Sequence, residues 1–468
     1  MSITASITAS TATRTTSATP ATSESALDRP GADRTVPVVA LGTLLLLATY
    51  TMPMAIVPDT VRDLHAGSSG PAWILSAIGL GLSAALLITG SLADDLGRRR
   101  VFTAGALGLA LSSALTASAP SLPLYVVGRA LQGVAGAAIM SAGLGLLAHN
   151  HRGAARGRAM AAYGSSIGVG MVLGPPTGAA LVQLHRSAPY WFTALAALGL
   201  AVVARGMPES RAEHPRRPDV WGTLTLGPGL IALTAALIEG RQGWQRPVVD
   251  ALLVAAVLLL AGYAATALRG RAPMLDPRMF ARPAFLAATF GALIAGIAVI
   301  AIAAYLATVF QGTLGLSALD SALLLGLWSA MAAITSFVVG RVHVLPDPAH
   351  RFAAGLLVSA VGFLGLYGIG PADSWLRAVP GLLVGGFGVG LVNTALARLG
   401  VESVPADRAS MGSGANSTAR YTGASIGAAL VVALVDAGGM DLAILMAAAA
   451  SLLGALVVLG LRRAEQRA

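Results

Sequence analysis

Two acids and three arginines fall within seven residues, Asp94-Asp95-Leu96-Gly97-Arg98-Arg99-Arg100, in a chain of 468 residues of which only 11% are charged. A carboxylate four residues before an arginine can accept its guanidinium or cap the positive end of a neighbouring helix, so this stretch offers a polar latch rather than a reaction. A second point of interest is Arg129, set in Leu124-Tyr-Val-Val-Gly-Arg-Ala-Leu-Gln-Gly133 with apolar residues on both sides. A guanidinium inside an apolar span is costly unless paired or hydrated, which makes Arg129, with Gln132 and Gly133 beside it, a candidate functional site. Glu239, near the end of another apolar run, is a further titratable candidate. Tyr50, Met52 and Met54 early in the chain, with Asn393 and Arg420 late in it, could line a cavity, methionine being adaptable enough for varied ligands. Cysteine is absent, and no nucleophile with a base, metal-binding cluster or phosphate loop stands out, so no enzyme chemistry and no cofactor are expected.

The elements that must position these residues are membrane spans. The chain is 55% hydrophobic with a mean hydropathy of +0.74, far above a soluble domain. At about 20 apolar residues per span, fourteen spans use roughly 280 residues, so only short loops and no separate soluble domain fit. All 31 basic residues are arginine and the net charge is +10, but the arginines fall between spans rather than on a soluble face, which argues against nucleic acid. Residues 1–35, rich in Ser, Thr and Ala without an apolar core, read as a disordered cytoplasmic tail and not a signal peptide.

Apolar runs place six spans near 36–58, 71–92, 101–119, 122–148, 159–184 and 189–206. The polar segment from Gly206 to Asp219 then closes the first bundle. Two spans near 220–239 and 248–268 follow, then a basic segment from Arg269 to Pro283. Six more lie near 284–310, 317–342, 350–369, 374–399, 412–437 and 440–461. The expected architecture is all-α and polytopic, with fourteen transmembrane helices arranged six plus two plus six. Its parts are a tail to residue 35, a bundle over 36–206, a linker with two extra helices over 207–283, a bundle over 284–461 and a tail over 462–468. With both termini cytoplasmic, 24 arginines fall on one side and five on the other, as the positive-inside rule requires of an even number of spans.

Short internal repeats support the halving. Gly90 and Gly105 bracket one turn with Phe102 between them, and Gly340 and Gly355 bracket another with Phe352 between them. Gly164-Ser-Ser-Ile-Gly168 recurs as Gly423-Ala-Ser-Ile-Gly427 in the corresponding span of the second bundle.

The fifth span carries Gly164, Gly168, Gly170, Gly174, Pro175, Pro176 and Gly178, a run of small residues with a proline break that suits close helix packing. The order of Gly170, Gly174, Pro175 and Gly178 resembles the antiporter motif of the major facilitator superfamily. Gly90, Leu92, Asp94, Gly97, Arg98 and Arg99 likewise resemble its signature loop between the second and third spans, and Arg129 to Gly133 resembles the fourth-span motif of its drug antiporters. Together with fourteen spans, these are similar to the fourteen-span drug:proton antiporters. The resemblance implies a cytoplasmic gating role for the first motif, proton coupling at Arg129 and export rather than import.

One position departs from that pattern. Relatives carry an Asp in the first span, whereas Ala48 to Pro58 here contains no acid, and no Asp or Glu lies at the centre of any span. The expectation is therefore a monomeric, multi-pass exporter of amphiphilic small molecules in the cell membrane, working by proton antiport and alternating access. An uncoupled facilitator or symporter is the alternative within transport, and a non-transporting membrane sensor the alternative outside it.

Overall fold

The computed structural model describes residues 34–67, 70–213, 219–240, 243–270, 273–341 and 347–467. The expected N-terminal tail lies outside them up to residue 33, as do parts of the linker and of the turn between Gly340 and Gly355.

Among the described residues the chain is helical throughout. The first half comprises α1 (Thr35–Thr51), α2 (Val57–Asp63), α3 (Gly70–Leu96), α4 (Arg98–Ala117), α5 (Leu122–Asn150), α6 (Gly153–Val182) and α7 (Ala188–Ala204). Next come α8 (Val220–Gly240) and α9 (Pro247–Arg269). The rest is α10 (Pro283–Ala295), α11 (Ala301–Leu314), α12 (Ala318–Val339), α13 (Pro348–Leu364), α14 (Ala378–Glu402), α15 (Ala409–Gly438) and α16 (Met440–Arg467). Twelve helices are long and apolar enough to cross a membrane, α10 and α11 counting as one rod through a π-turn at Gly296–Ile300; α7 and α13, at 17 residues each, are shorter apolar helices. The surface is apolar as well as the core: Leu195, Val202, Trp221, Val257 and Leu258 are all at least half exposed, forming a surface suited to lipid.

Two expectations are revised. The first span does not run unbroken over 36–58. Pro53 cannot donate a backbone hydrogen bond, and α1 gives way to a 3-10 turn at Met52–Ala55 before α2. The polar turn between the second and third spans is also tighter than expected. Asp94 and Asp95 belong to α3, Arg98 opens α4, and Gly97 alone, at φ +115°, makes the reversal.

The two halves repeat each other in packing. A Cβ on Gly42 of α1 would stand 2.8 Å from Phe102 and 3.2 Å from Leu200 of α7, and one on Gly291 of α10 would stand 3.0 Å from Phe352 and 3.1 Å from Val458 of α16. Gly105 packs against α5 as Gly355 packs against α14. The sequence match between Gly164/Gly168 and Gly423/Gly427 is not an equivalence of this kind. Gly168 meets Ser329 and Ala333 of α12 in the other half, whereas Gly423 and Gly427 meet Leu293 and Ile297 within their own half. The counterparts of Gly423 and Gly427 are Gly170 and Gly174, which meet Leu44 and Ala48 of α1. Small residues recur along several faces of these helices, and sequence alone does not say which face a pair occupies.

The halves meet along two seams, α3 with α15 and α6 with α12. At the first, a Cβ on Gly414 would come within 2.3 Å of Leu86 O; at the second, one on Gly340 would come within 2.0 Å of Ala161. Helix α8 packs against both α3 and α15, with Leu226 and Leu230 in one apolar cluster with Ala84, Leu87, Met411 and Ala415.

Candidate functional site

The polar stretch closes one end of the first seam. Asp94 and Arg98 are fully buried, with Arg98 Nη2 2.8 Å and Nε 2.9 Å from Asp94 Oδ1. The same carboxylate reaches across the seam, Oδ1 accepting Ser410 N–H at 3.2 Å and Oδ2 accepting Met411 N–H at 2.7 Å. These are first-turn donors of α15, otherwise without intrahelical partners, so Asp94 caps a helix of the opposite half. Arg98 crosses too, donating from Nε to Ser410 Oγ at 3.2 Å and from Nη2 to Asp407 O at 3.0 Å. Beside this pair, Arg408 Nη1 lies 2.6 Å from Asp95 Oδ1, both side chains nearly buried. Sequence reading named Asp94 and Arg98 but missed Arg408, Ser410 and Met411, because nothing in one sequence pairs residues more than 300 positions apart.

Glycine makes the approach possible. A Cβ on Gly90 would stand 2.4 Å from Ser410 O, and on Gly145, 1.9 Å from Ser410 Oγ. Gly97 sits against the Glu209 carboxylate, whose Oε1 accepts Arg99 N–H at 3.0 Å, while Arg99 Nη1 donates to Met207 O at 3.1 Å. Arg98 N–H donates to Ser210 O and Ala212 N–H to Asp94 O, both at 2.8 Å, so the start of the expected linker is folded against the turn. Leu92 is half-buried on the same helix.

Arg129 is fully buried but forms no ion pair among the described residues. Its Nη1 donates to Gln132 Oε1 at 2.7 Å and Thr49 O at 3.0 Å, and Nη2 to Tyr50 O at 3.4 Å. Gln132 Nε2 in turn donates to Ser113 Oγ at 2.9 Å. Gly133 serves packing, its Cβ position lying 2.1 Å from Ile78 O of α3. Arg129 thus ties α5 to the end of α1, where the break before Pro53 leaves carbonyls available.

The antiporter-like residues form the α1–α6 contact. Cβ atoms on Gly170, Gly174 and Gly178 would come within 2.0–2.7 Å of Leu44, Thr51 and Met52. Pro175 lacks the N–H that would bond Met171 O, and Thr51 Oγ1 stands 3.2 Å from that carbonyl, its one proton shared between it and Leu47 O at 3.1 Å. The proline break is therefore bridged by the neighbouring helix, and α6 continues as one rod.

The expected cavity residues separate. Met52 is buried with Ile56, Ile74, Tyr125 and Tyr190, whereas Met54 is 40% exposed. Tyr50 is half-buried with its ring 6.5 Å from that of Tyr421, and Arg420 Nη1 is 3.4 Å from Asn393 Oδ1. Tyr50, Asn393 and Arg420 thus lie in one neighbourhood between the halves, joined by Tyr421 and by Tyr163 of α6, which sequence reading passed over. Glu239 is elsewhere, at the end of α8, accepting Trp73 Nε1 at 2.8 Å and Arg246 Nη1 at 2.5 Å.

Two bundles repeating one packing scheme and joined by a polar seam latch form the kind of repeat architecture on which many membrane transporters are built. The chain belongs to the Major Facilitator Superfamily, whose sequence profile matches residues 39–428. Among similar proteins are the puromycin resistance protein pur8 of Streptomyces alboniger, 29% identical over 84% of this chain and 80% of that one, and the multidrug efflux pump LfrA of Mycolicibacterium smegmatis, 32% identical over 84% and 78%. The crystal structure of the human organic anion transporter MFSD10 (TETRAN) superposes with a TM-score of 0.71, covering 92% of this chain and all of that one at 20% identity, a likeness of fold alone. The protein is a multi-pass membrane transporter related to drug and antibiotic resistance exporters.

Proposed function

We propose that this transporter exports amphiphilic small molecules from the cytoplasm by proton antiport, as a monomer alternating between two six-span halves. In this reading α7 and α13 span the membrane with the other twelve helices, α8 and α9 are an inserted pair, and the termini and the Asp94 latch face the cytoplasm. The observation that carries it is the set of hydrogen bonds from Asp94 and Arg98 to Ser410, Met411 and Asp407. They exist only while the two halves are closed at that end, so breaking and remaking them is the natural switch of an alternating-access cycle. The names of the relatives, a puromycin resistance protein and a multidrug efflux pump, support export and the substrate class.

A second reading, an uncoupled facilitator, is favoured by one observation: among the described residues every carboxylate within an apolar helix lies within two turns of its end, leaving the middle without a proton carrier of the usual kind. Proteoliposomes loaded with a fluorescent drug under an imposed pH gradient separate the two. Efflux that rises several-fold with the gradient and collapses with a protonophore is expected; flux indifferent to the gradient would reject antiport in favour of the facilitator.

A further inference from the structure

The buried arginines differ in how well they are satisfied. Arg98 and Arg408 have carboxylate partners, and Arg129 has three acceptors fixed by backbone and Gln132. Arg98, Arg129 and Arg420 each leave one guanidinium nitrogen buried without an acceptor, but Arg420, 8% exposed, has among the described residues a single hydrogen bond besides, a long contact of 3.4 Å to Asn393 Oδ1. It forms no ion pair among the described residues. A guanidinium offers five donors in a planar fork matched to a carboxylate, so leaving one buried with a single neutral partner is unfavourable unless something else completes it.

Its surroundings say what that is. The guanidinium carbon lies 5.2 Å from the centroid of the Tyr421 ring, and Tyr421 is tilted 46° against Tyr50 of the opposite half, centroids 6.5 Å apart. Tyr163 of α6 is buried in the same cluster as Tyr421, with Tyr50 packed against it, and brings a third phenol. Aromatic faces and hydroxyls suit a planar aromatic ligand. The set includes no carboxylate, so a cation would meet an uncompensated like charge.

We propose that Arg420, with Asn393, Tyr50, Tyr163 and Tyr421, forms a binding site for an aromatic anion, its carboxylate or phenolate completing the Arg420 fork and its rings lying against the tyrosines. The inference deepens the exporter reading and rests on it for the direction of movement. Outward passage of a negative charge runs with an inside-negative membrane potential, so such cargo lessens the need for an acid in the first span.

The test uses the full chain purified in detergent, with carboxyfluorescein as the anionic probe and rhodamine 123 as the cationic one, binding read by fluorescence anisotropy. Wild type is expected to bind carboxyfluorescein at least about tenfold tighter than rhodamine 123, and Arg420→Gln to lose about tenfold or more of that affinity, with partial recovery in Arg420→Lys. Asn393→Asp, nearly the same shape, places a carboxylate against Arg420 and is expected to abolish anion binding without removing the arginine, so the test stands even if Arg420→Gln does not fold. Equal or tighter binding of the cation by wild type, or anion affinity unchanged in both Arg420→Gln and Asn393→Asp, would overturn the proposal. Because binding is read without transport, it stands apart from the exporter reading, which fails instead if cells carrying the protein expel neither probe.

Discussion

Asp94 Oδ2 accepts the backbone N–H of Met411 at 2.7 Å, joining the last turn of α3 to the first turn of α15 across the seam between the halves. One carboxylate thus holds an arginine of its own half and the helix terminus of the other. Under the proposed alternating-access cycle this junction is buried when the seam is closed and wet when it opens, so its substitution is expected to shift the balance between states more than it unfolds the chain.

Arg98→Ala leaves Asp94 buried with backbone donors alone, and losing one partner of a buried pair costs about 3–5 kcal/mol in the state where the seam is closed. Asp94→Asn keeps the shape but removes the charge. Both are expected to insert in the membrane at normal levels and to export at roughly a tenth of the wild-type rate or less. Membrane fractionation with a dye-efflux assay checks this; normal export by both would reduce the stretch to a topology signal.

Thr51→Val removes the hydroxyl that serves Met171 O opposite Pro175. An unsatisfied buried carbonyl costs about 1–3 kcal/mol, so a lowered thermal midpoint is expected, with Thr51→Ser close to wild type. In a Pro175→Ala background the restored N–H can take Met171 O, and the penalty of Thr51→Val should shrink. Equal penalties in both backgrounds would show that Thr51 does not act through that carbonyl.

Glu239, at the far end of α8, joins Trp73 of α3 to Arg246 at the start of α9, and the Arg246 side chain is 43% exposed. Glu239→Gln retains the acceptor for Trp73 and loses an ion pair worth about 0–1 kcal/mol. Gradient-driven efflux is expected to persist, with a small fall in thermal midpoint. Flux that no longer responds to an imposed pH gradient would instead make Glu239 the coupling group.

Asp347 caps α13. Partial burial pushes its carboxyl up, but the Ala349 N–H at 2.7 Å and Arg462 at 3.0 Å outweigh this and hold it below the ordinary value of 3.8. A carboxyl depressed in the folded state contributes stability above 3.8 that disappears as pH falls through the lower folded value. The gap in thermal midpoint between wild type and Asp347→Asn should therefore be full at neutral pH and close on acidification below 3.8. His350, 3.6 Å from the carboxylate, can widen the gap as it gains its proton above that range, but a gap that still widens below 3.8 would reverse the assignment.

Hydropathy made the helices legible because an apolar run is a local property: the expected runs coincide with described helices apart from the break at Pro53, twelve of them long enough to cross a membrane and α7 and α13 shorter. Asp94 and Arg98 were legible for the same reason, being four residues apart on one helix. Their partners across the seam were not, since Arg408 and Ser410 are ordinary residues until α15 is laid beside α3. Nor could spacing distinguish Met52 from Met54, because the 3-10 turn that separates them follows from Pro53 and its packing against Gly178.

The placement of α8 gives the molecule unlike flanks. With Leu226 and Leu230 laid against Ala84, Leu87, Met411 and Ala415, protein instead of acyl chain lines the outer side of the α3–α15 seam. Helix α9 in turn packs on α8, so that side of the molecule is two helices thicker. Among the described residues the α6–α12 seam has no counterpart of this pair, and the two flanks present different surfaces to the surrounding membrane.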